Sequence, residues 1–306
     1  MFLGALFLTV TLASCDNTDF LAWKQKFSKK YNSFEAGQLA IKNWLENKEV
    51  VSRSHVDGGK WKAELGKYAD MSIMEFEAML LENTPVDKIQ QIPRKLVRPS
   101  GDTSPNAFDW RYDSNTSVVT SVKDQGFVGT CWAFSTIENV EGQWALAGND
   151  LTDLSPEYLV DCDGSSDDTH ADCSIYGGWP YLAYDFIIGK GGVPSEASWP
   201  YCSGNGSCYP CMLGPISLCG PPPYYCDRDI PASCNSMEPA ATISSWTAIE
   251  SDEKVMAEAL VSQGPLSVLI DATGLQYYKE GKLYMLYILY TLFPYNCIQM
   301  LNDYSL

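Results

Sequence analysis

Histidine is almost absent from this chain, whose 306 residues hold two, His55 and His170. That scarcity restricts any mechanism that needs an imidazole to carry a proton near neutral pH. Positive charge is scarce as well: 21 Lys and Arg stand against 38 Asp and Glu, for a formal net charge of −17. A chain so acidic, with no Lys/Arg run, is repelled by nucleic acid and by anionic membrane surfaces, so neither is an expected partner. Long hydrophobic runs are missing too. Residues 1–14, MFLGALFLTVTLAS, are apolar but too short to cross a bilayer, and their small-residue boundary reads as a secretory signal. The stretch lacks Lys and Arg, and Leu12-Ala13-Ser14-Cys15 leaves a bacterial lipoprotein box as the alternative; export follows from either. The apolar run at 283–293 is also too short to span a membrane and ends at Pro294, so stable insertion is not expected.

Cysteine, by contrast, is plentiful. Eleven are present, six of them between Cys202 and Cys234, which suits an oxidising compartment better than the cytosol. Disulfides are the preferred reading of that cluster. A zinc site at Cys208-Tyr-Pro-Cys211 is the competing one, but it lacks a matching second pair or a local His, and no metal or cofactor is expected. Asn115-Thr-Ser and Asn205-Gly-Ser are glycosylation triplets if the host is eukaryotic.

Along the chain, residues 19–52 show helical spacing, notably at Ile41, Trp44, Leu45 and Val51, and predict one or two amphipathic helices. Residues 83–106 lose periodicity and gather Pro85, Pro93, Pro99, Gly101 and Pro105, the composition of an exposed, cleavable linker. Beyond it, Trp132, Phe134, Ile137, Val140, Trp144 and Leu146 mark a buried helix from Cys131 to Ala147.

The decamer Gln125-Gly-Phe-Val-Gly-Thr-Cys131-Trp-Ala-Phe134 is a loop that delivers one thiol to the start of that helix. Unpaired N–H groups and the positive dipole end stabilise a thiolate there. The segment resembles the nucleophile loop of papain-like cysteine proteases. The resemblance extends to Phe108-Asp109-Trp110-Arg111, similar to the family's mature N-terminus, to Leu154–Cys162, to Cys173 leading into Gly177-Gly178-Trp179-Pro180, and from Ala241 to about Leu283, where it implies a helix to Leu260 and then a strand at Gly264-Pro265-Leu266-Ser267-Val268. In the first hundred residues, Trp44, Asn47 and Val51, then the Tyr68–Phe76 turn and helix, resemble the family's inhibitory prosegment. Ala36, Ala40, His55 and Gly66 depart from that pattern.

The resemblance implies an α+β fold with a helical left domain around the nucleophile helix and an incomplete β-rich right domain, preceded by a helical prosegment. The implied order is signal 1–14, prosegment 15–82, linker 83–106, peptidase domain 107–281 with a Cys-rich insertion at 202–234, and a divergent apolar tail 282–306. It also implies a secreted, lysosomal or vacuolar endopeptidase precursor. Cys131 is the implied nucleophile and Gln125 the oxyanion donor. Gly177 and Gly178 are the implied main-chain platform for an extended peptide, with Trp179, Pro180 and Leu269 lining a side-chain pocket. The implied partners are a peptide or protein substrate, the chain's own prosegment and, in a non-enzymatic reading, related cysteine proteases. A third reading, a Cys-rich extracellular binding protein, rests on residues 202–234.

Where the family bridges a cysteine to the one before the double glycine, this chain has Val128, so Cys173 is expected to be unbridged or re-paired; Cys162 is expected to pair near Cys202 or Cys208. After Gly281 the match ends, and the family's His-Ala and Asn-Ser-Trp segments are not found. His170 lies in the wrong half of the molecule to replace the base and His55 in the presumed prosegment, so this polypeptide is expected to turn over peptides negligibly. The tail reads best as a truncated gene model or an alternative transcript.

Overall fold

The computed structural model describes residues 18–54, 61–79, 105–112, 117–163, 172–205, 208, 232–250, 252–268 and 272–281. The expected signal, most of the linker and of the Cys-rich insertion, the tail, His55, His170, Asn115 and Leu269 lie outside these residues. The chain forms two compact units, each with its own core.

The first unit combines residues 18–78 with 272–281. It contains helices α1 (18–26) and α2 (Phe34–Ser54), strand β1 (Trp61–Ala63), helix α3 (Ile73–Met79) and strand β2 (Tyr278–Gly281). Ala40, Asn43, Trp44 and Asn47 follow helical spacing and form the buried face of α2. Trp44 meets Phe20 edge-on at 5.8 Å, and Trp23 stacks on Phe20 at 5.7 Å. Leu45 is more than a third exposed, because a 100° step carries it off that face.

The two asparagines bind the turn that precedes α3. Asn47 donates to the carbonyls of Ala69 and Met71, both at 2.8 Å, and Asn43 donates to Asp70 O. Ser72 and Glu75 then form a reciprocal capping box, in which the Ser72 hydroxyl accepts Glu75 N–H and the Glu75 carboxylate accepts Ser72 N–H. These bonds, with burial opposing them, hold the Glu75 carboxyl below its ordinary range. Tyr277 reaches the same place, its hydroxyl donating to Asn47 Oδ1 at 2.7 Å, and Gln276 donates to Met71 O at 2.9 Å. β1 and β2 pair antiparallel, Lys62 opposite Glu280.

The second unit is built on helices α4 (Cys131–Leu146), α5 (Pro156–Cys162), α6 (Pro180–Lys190) and α7 (Glu253–Gln263). Helix α4 is central, packing against α5 and α6, with Trp132, Phe134, Ile137 and Val140 all buried. Leu146, expected inside, is 39% exposed in the last turn. Ser155 caps α5 by accepting Tyr158 N–H, and Pro156 occupies the first turn, where its missing N–H costs nothing. Asp252 caps α7, which runs to Gln263 rather than stopping near Leu260.

Residues 264–268 are not a strand: no described segment offers them a ladder, and helix α4 holds them through side chains instead. Asn139 donates to Pro265 O at 2.6 Å, and Ser135 shares a 2.6 Å bond with Ser267. The antiparallel β1–β2 pair is the sheet among the described residues. The disulfides also differ from expectation. Cys162 pairs with Cys234, its Cα 5.6 Å away, while Cys202 and Cys208 close on each other; Cys173 is disulfide-bonded, the re-paired one of its two expected states.

Candidate active site

Residues 117–130 form an irregular approach to α4, and their anchors explain where Cys131 sits. Lys123 and the Thr120 hydroxyl both bind the Glu141 carboxylate, the Lys123 Nζ at 3.0 Å and Thr120 Oγ1 at 2.5 Å. Glu141 is 1% exposed and also accepts Leu154 N–H, so one carboxylate ties the approach loop and the loop before α5 to the middle of α4. Burial raises the Glu141 pKa, with Lys123 the main opposing influence. Lys123 is held up by Glu141 and Asp153 against its own desolvation.

At the tip of this loop Gln125 donates its side-chain amide to Val128 O at 2.8 Å. Gly126 has φ +74°, and a Cβ there would run into the Gly204 backbone, so the tip rests directly on the 203–205 turn. Tyr201 locks the arrangement: its hydroxyl donates to Gln125 O at 2.8 Å and pairs with the Thr130 hydroxyl at 2.8 Å. Burial drives the Tyr201 pKa upward; the Thr130 bond opposes that, while Glu157, Asp124 and Cys131 reinforce it. Nothing local in the sequence marks the reach of Tyr201 back to residue 125.

Cys131 is the first residue of α4 and is not in a disulfide. At 1% exposure it is a member of the core cluster, so the thiol is covered in this form of the chain. The segment carrying the two glycines lies against the same helix start. Gly129 N–H donates to Ile175 O at 2.8 Å, and the Trp132 indole donates to Ser174 O at 3.0 Å. Gly178 admits no side chain: a Cβ would stand 2.5 Å from both Trp132 Cδ2 and Asp172 Oδ1. Trp179 then caps α6, whose first turn begins at Pro180, and its ring faces Tyr181 at 6.0 Å. The structure thus gathers the Gln125 loop, Cys131, Gly177, Gly178 and Trp179 around one helix end.

The sulfurs of Cys202 and Cys208 cluster with the Glu157 carboxylate, but they are bonded to each other, and Glu157 is occupied by Ser203 Oγ and the N–H groups of Cys202 and Ser203. That geometry stabilises a loop and offers no thiolate pair to zinc. No helix among the described residues is long and apolar enough to cross a membrane.

Residues 104–290 match the family described as "Papain family cysteine protease". The chain is 32% identical over 277 residues to cysteine proteinase 1 of Dictyostelium discoideum, covering 87% of this chain and 73% of that protein. It is 32% identical to cysteine proteinase B of Leishmania mexicana, spanning 86% of this chain but 54% of that one. Among solved structures, digestive procathepsin L 3 from the larval midgut of Tenebrio molitor superposes with a TM-score of 0.67 at 27% identity, over 88% of this chain and 78% of the other.

Proposed function

Because the chain belongs to the papain family of cysteine proteases, we propose that it is a cysteine-type endopeptidase precursor in which Cys131 is the nucleophile for peptide carbonyls. The observation that carries this is the delivery of Cys131 to the start of α4 by a loop fixed at Gln125, beside the Gly177–Gly178 segment. In the proposed chemistry the Cys131 thiolate attacks the carbonyl carbon. The Cys131 backbone N–H and the Gln125 amide, once it leaves Val128 O, hold the oxyanion. An extended peptide pairs with the backbone of Gly177 and Gly178, where a side chain would stand in the way. Trp179, Pro180 and Leu269 are the proposed pocket for the substrate side chain.

The prosegment and a polypeptide substrate are the partners this reading gives, in a secreted, lysosomal or vacuolar setting. The reaction also needs a base to take the thiol proton and return it to the leaving amine. His170 stands in the acidic stretch before Cys173 and His55 in the prosegment stretch, so the 306-residue polypeptide is proposed to have negligible turnover. The test is mass spectrometry after exposure to a thiol-directed epoxide, alongside a fluorogenic peptide assay. A covalent adduct at Cys131, lost in Cys131→Ser, is the expected result for a form that carries the family's His and Asn segments; the 306-residue chain, whose thiol is covered, is expected to show turnover at background. Adduct formation unaffected by Cys131→Ser overturns the nucleophile assignment, and family-like turnover overturns the inactivity.

A second reading keeps the chain as a binder of related cysteine proteases. The first unit favours it by having its own aromatic core and its own strand pair. Inhibition of papain by the full chain, measured at increasing chain concentration, decides it; no inhibition removes this reading.

A further inference from the structure

The partly exposed bridge between Cys202 and Cys208 stands against a buried carboxylate. Glu157, 1% exposed in the first turn of α5, accepts the Ser203 hydroxyl at Oε1 at 2.6 Å and the N–H groups of Cys202 and Ser203 at Oε2, both at 3.1 Å. Three donors mark it as an acceptor. Burial pushes its pKa up, and the Ser203 hydroxyl leads the bonds that oppose the rise. Oε1 also lies 3.2 Å from Cys208 Sγ. A bridged sulfur has no proton to donate, so in the closed form that oxygen faces sulfur lone pairs, whereas a thiol at the same place donates to it. The carboxylate thus favours the reduced state of the pair. Access and loop length act in the same direction. Cys202 and Cys208 are partly exposed and six positions apart, while Cys162 and Cys234 are 4% and 1% exposed and 72 apart, so the short bridge is easier to reach and is stabilised less by loop closure.

The same bridge borders the loop that leads to Cys131. Between its two cysteines runs the Ser203–Asn205 turn, and Gly204 packs backbone to backbone on the loop tip: a Cβ on Gly204 would stand 2.4 Å from Gln125 O, and one on Gly126 2.1 Å from Gly204 O. Next to the bridge, Tyr201 holds Gln125 O and the Thr130 hydroxyl, both at 2.8 Å. Residues 201–204 therefore grip both ends of the segment 125–130.

We infer that Cys202–Cys208 is a reducible latch, opened by small-molecule thiols, that fixes the 203–205 turn and through it the 125–130 loop in front of Cys131. A reductant thiolate attacks Cys208 Sγ, the S–S bond breaks, and Cys202 leaves as a thiolate that takes a proton from solvent. A second reductant thiolate attacks the reductant sulfur of the mixed disulfide. The reductant's own disulfide forms, and Cys208 is released, takes up a second proton and donates it to Glu157 Oε1. Two protein thiols appear for two reductant thiols oxidised. The turn stays attached to Glu157 at residues 202 and 203, but its far end is no longer tied back, and the loop tip loses a rigid support. The consequence for oxyanion binding rests on the protease reading of Gln125; the latch itself does not.

The test equilibrates the full chain with glutathione at stepped ratios of reduced to oxidised form, quenches in acid, alkylates the unfolded chain and maps the labelled cysteines by mass spectrometry. Cys202 and Cys208 are expected to open at a ratio about tenfold or more below that needed for Cys162 and Cys234. At a ratio that opens only the short bridge, amide exchange is expected to quicken about 3- to 30-fold in peptides covering 122–130 and 201–208, with the body of α4 at 136–144 unchanged. Cys202→Ser with Cys208→Ser is expected to show the faster exchange without glutathione and no further response to it. Glu157→Gln removes the charge that faces Cys208, and is expected to raise the ratio needed to open the bridge about fivefold. Both bridges opening together, Cys162–Cys234 opening first, or exchange at 122–130 indifferent to opening overturns the inference. A Glu157→Gln bridge that opens as readily as the wild type's overturns the part given to the carboxylate. If a variant does not fold, the wild-type titration and exchange decide the latch alone. Absence of an epoxide adduct at Cys131 in a form carrying the family's His and Asn segments, with selective opening intact, sinks the protease reading and leaves the latch standing.

Discussion

Replacing Lys123 with methionine isolates the electrostatic fastening of the nucleophile helix. Lys123 is 11% exposed at its side chain and sits 3.0 Å from a Glu141 carboxylate that is 1% exposed. The replacement leaves Glu141 with the Thr120 hydroxyl at 2.5 Å and Leu154 N–H at 2.7 Å, but without the Lys123 charge. Removing one partner of a buried pair costs about 3–5 kcal/mol, since the remaining charge keeps its desolvation penalty. At about 2–4 °C per kcal/mol for a unit of this size, the melting temperature should drop by about 6–20 °C near neutral pH.

The sign with pH is fixed by Glu141. Burial already raises its pKa and Lys123 restrains that rise, so without Lys123 the folded pKa climbs further above the unfolded value. The folded variant then binds more protons than the unfolded one, and its deficit grows as pH increases from the ordinary carboxyl range toward neutrality. Thermal melts of Lys123→Met in a Cys131→Ser background, at about pH 4 and about pH 7, measure both effects. Lys123→Met with Glu141→Gln should recover most of the loss, because neither charge then remains buried. A single variant melting within about 1 °C of its parent at neutral pH, or a double variant no better than the single, refutes the reasoning.

Gly178→Ala places a methyl 2.5 Å from Asp172 Oδ1 and Trp132 Cδ2, and should cost about 1–3 kcal/mol in denaturant melts; a loss under about 0.5 kcal/mol contradicts that packing. Tyr277→Phe deletes the 2.7 Å bond to Asn47 and should weaken the first unit by about 1 kcal/mol, read as faster exchange in α2 with α4 unchanged. Cys162 and Cys234 are 72 positions apart and Cys202 and Cys208 only six, so loop entropy assigns about 4 kcal/mol to the first bridge and about 2 kcal/mol to the second. Paired Cys→Ala variants compared by chemical melts check that order, and the reverse order rules out loop closure as the main effect.

Sequence legibility tracks the range of the interactions. Helix α4 was readable because its buried positions repeat at helical spacing, whereas the Ser72–Glu75 box went unread although capping is a three-residue affair. Gln125, Cys131, Gly177 and Gly178 could be named in advance because the motif compresses a loop, a nucleophile and a backbone platform into short words. Pairings across the chain left no such mark. Cys162 to Cys234, Tyr201 to Gln125 and Lys123 to Glu141 each depend on three-dimensional placement, and identical residues elsewhere would read the same in one dimension. The expected strand at 264–268 failed for a related reason: a strand forms only where a neighbouring strand supplies backbone hydrogen bonds, and among the described residues Asn139 bonds the Pro265 carbonyl while Ser135 holds Ser267 by its side chain.

The composition of the first unit has a consequence for synthesis. Its aromatic cluster around Trp44 is made from residues close in sequence and can assemble as soon as they leave the ribosome. Strand β1, however, has to wait for β2, more than two hundred codons downstream, before its edge is paired. During that interval the nascent chain carries an open strand edge, the state most exposed to mispairing and to capture by chaperones.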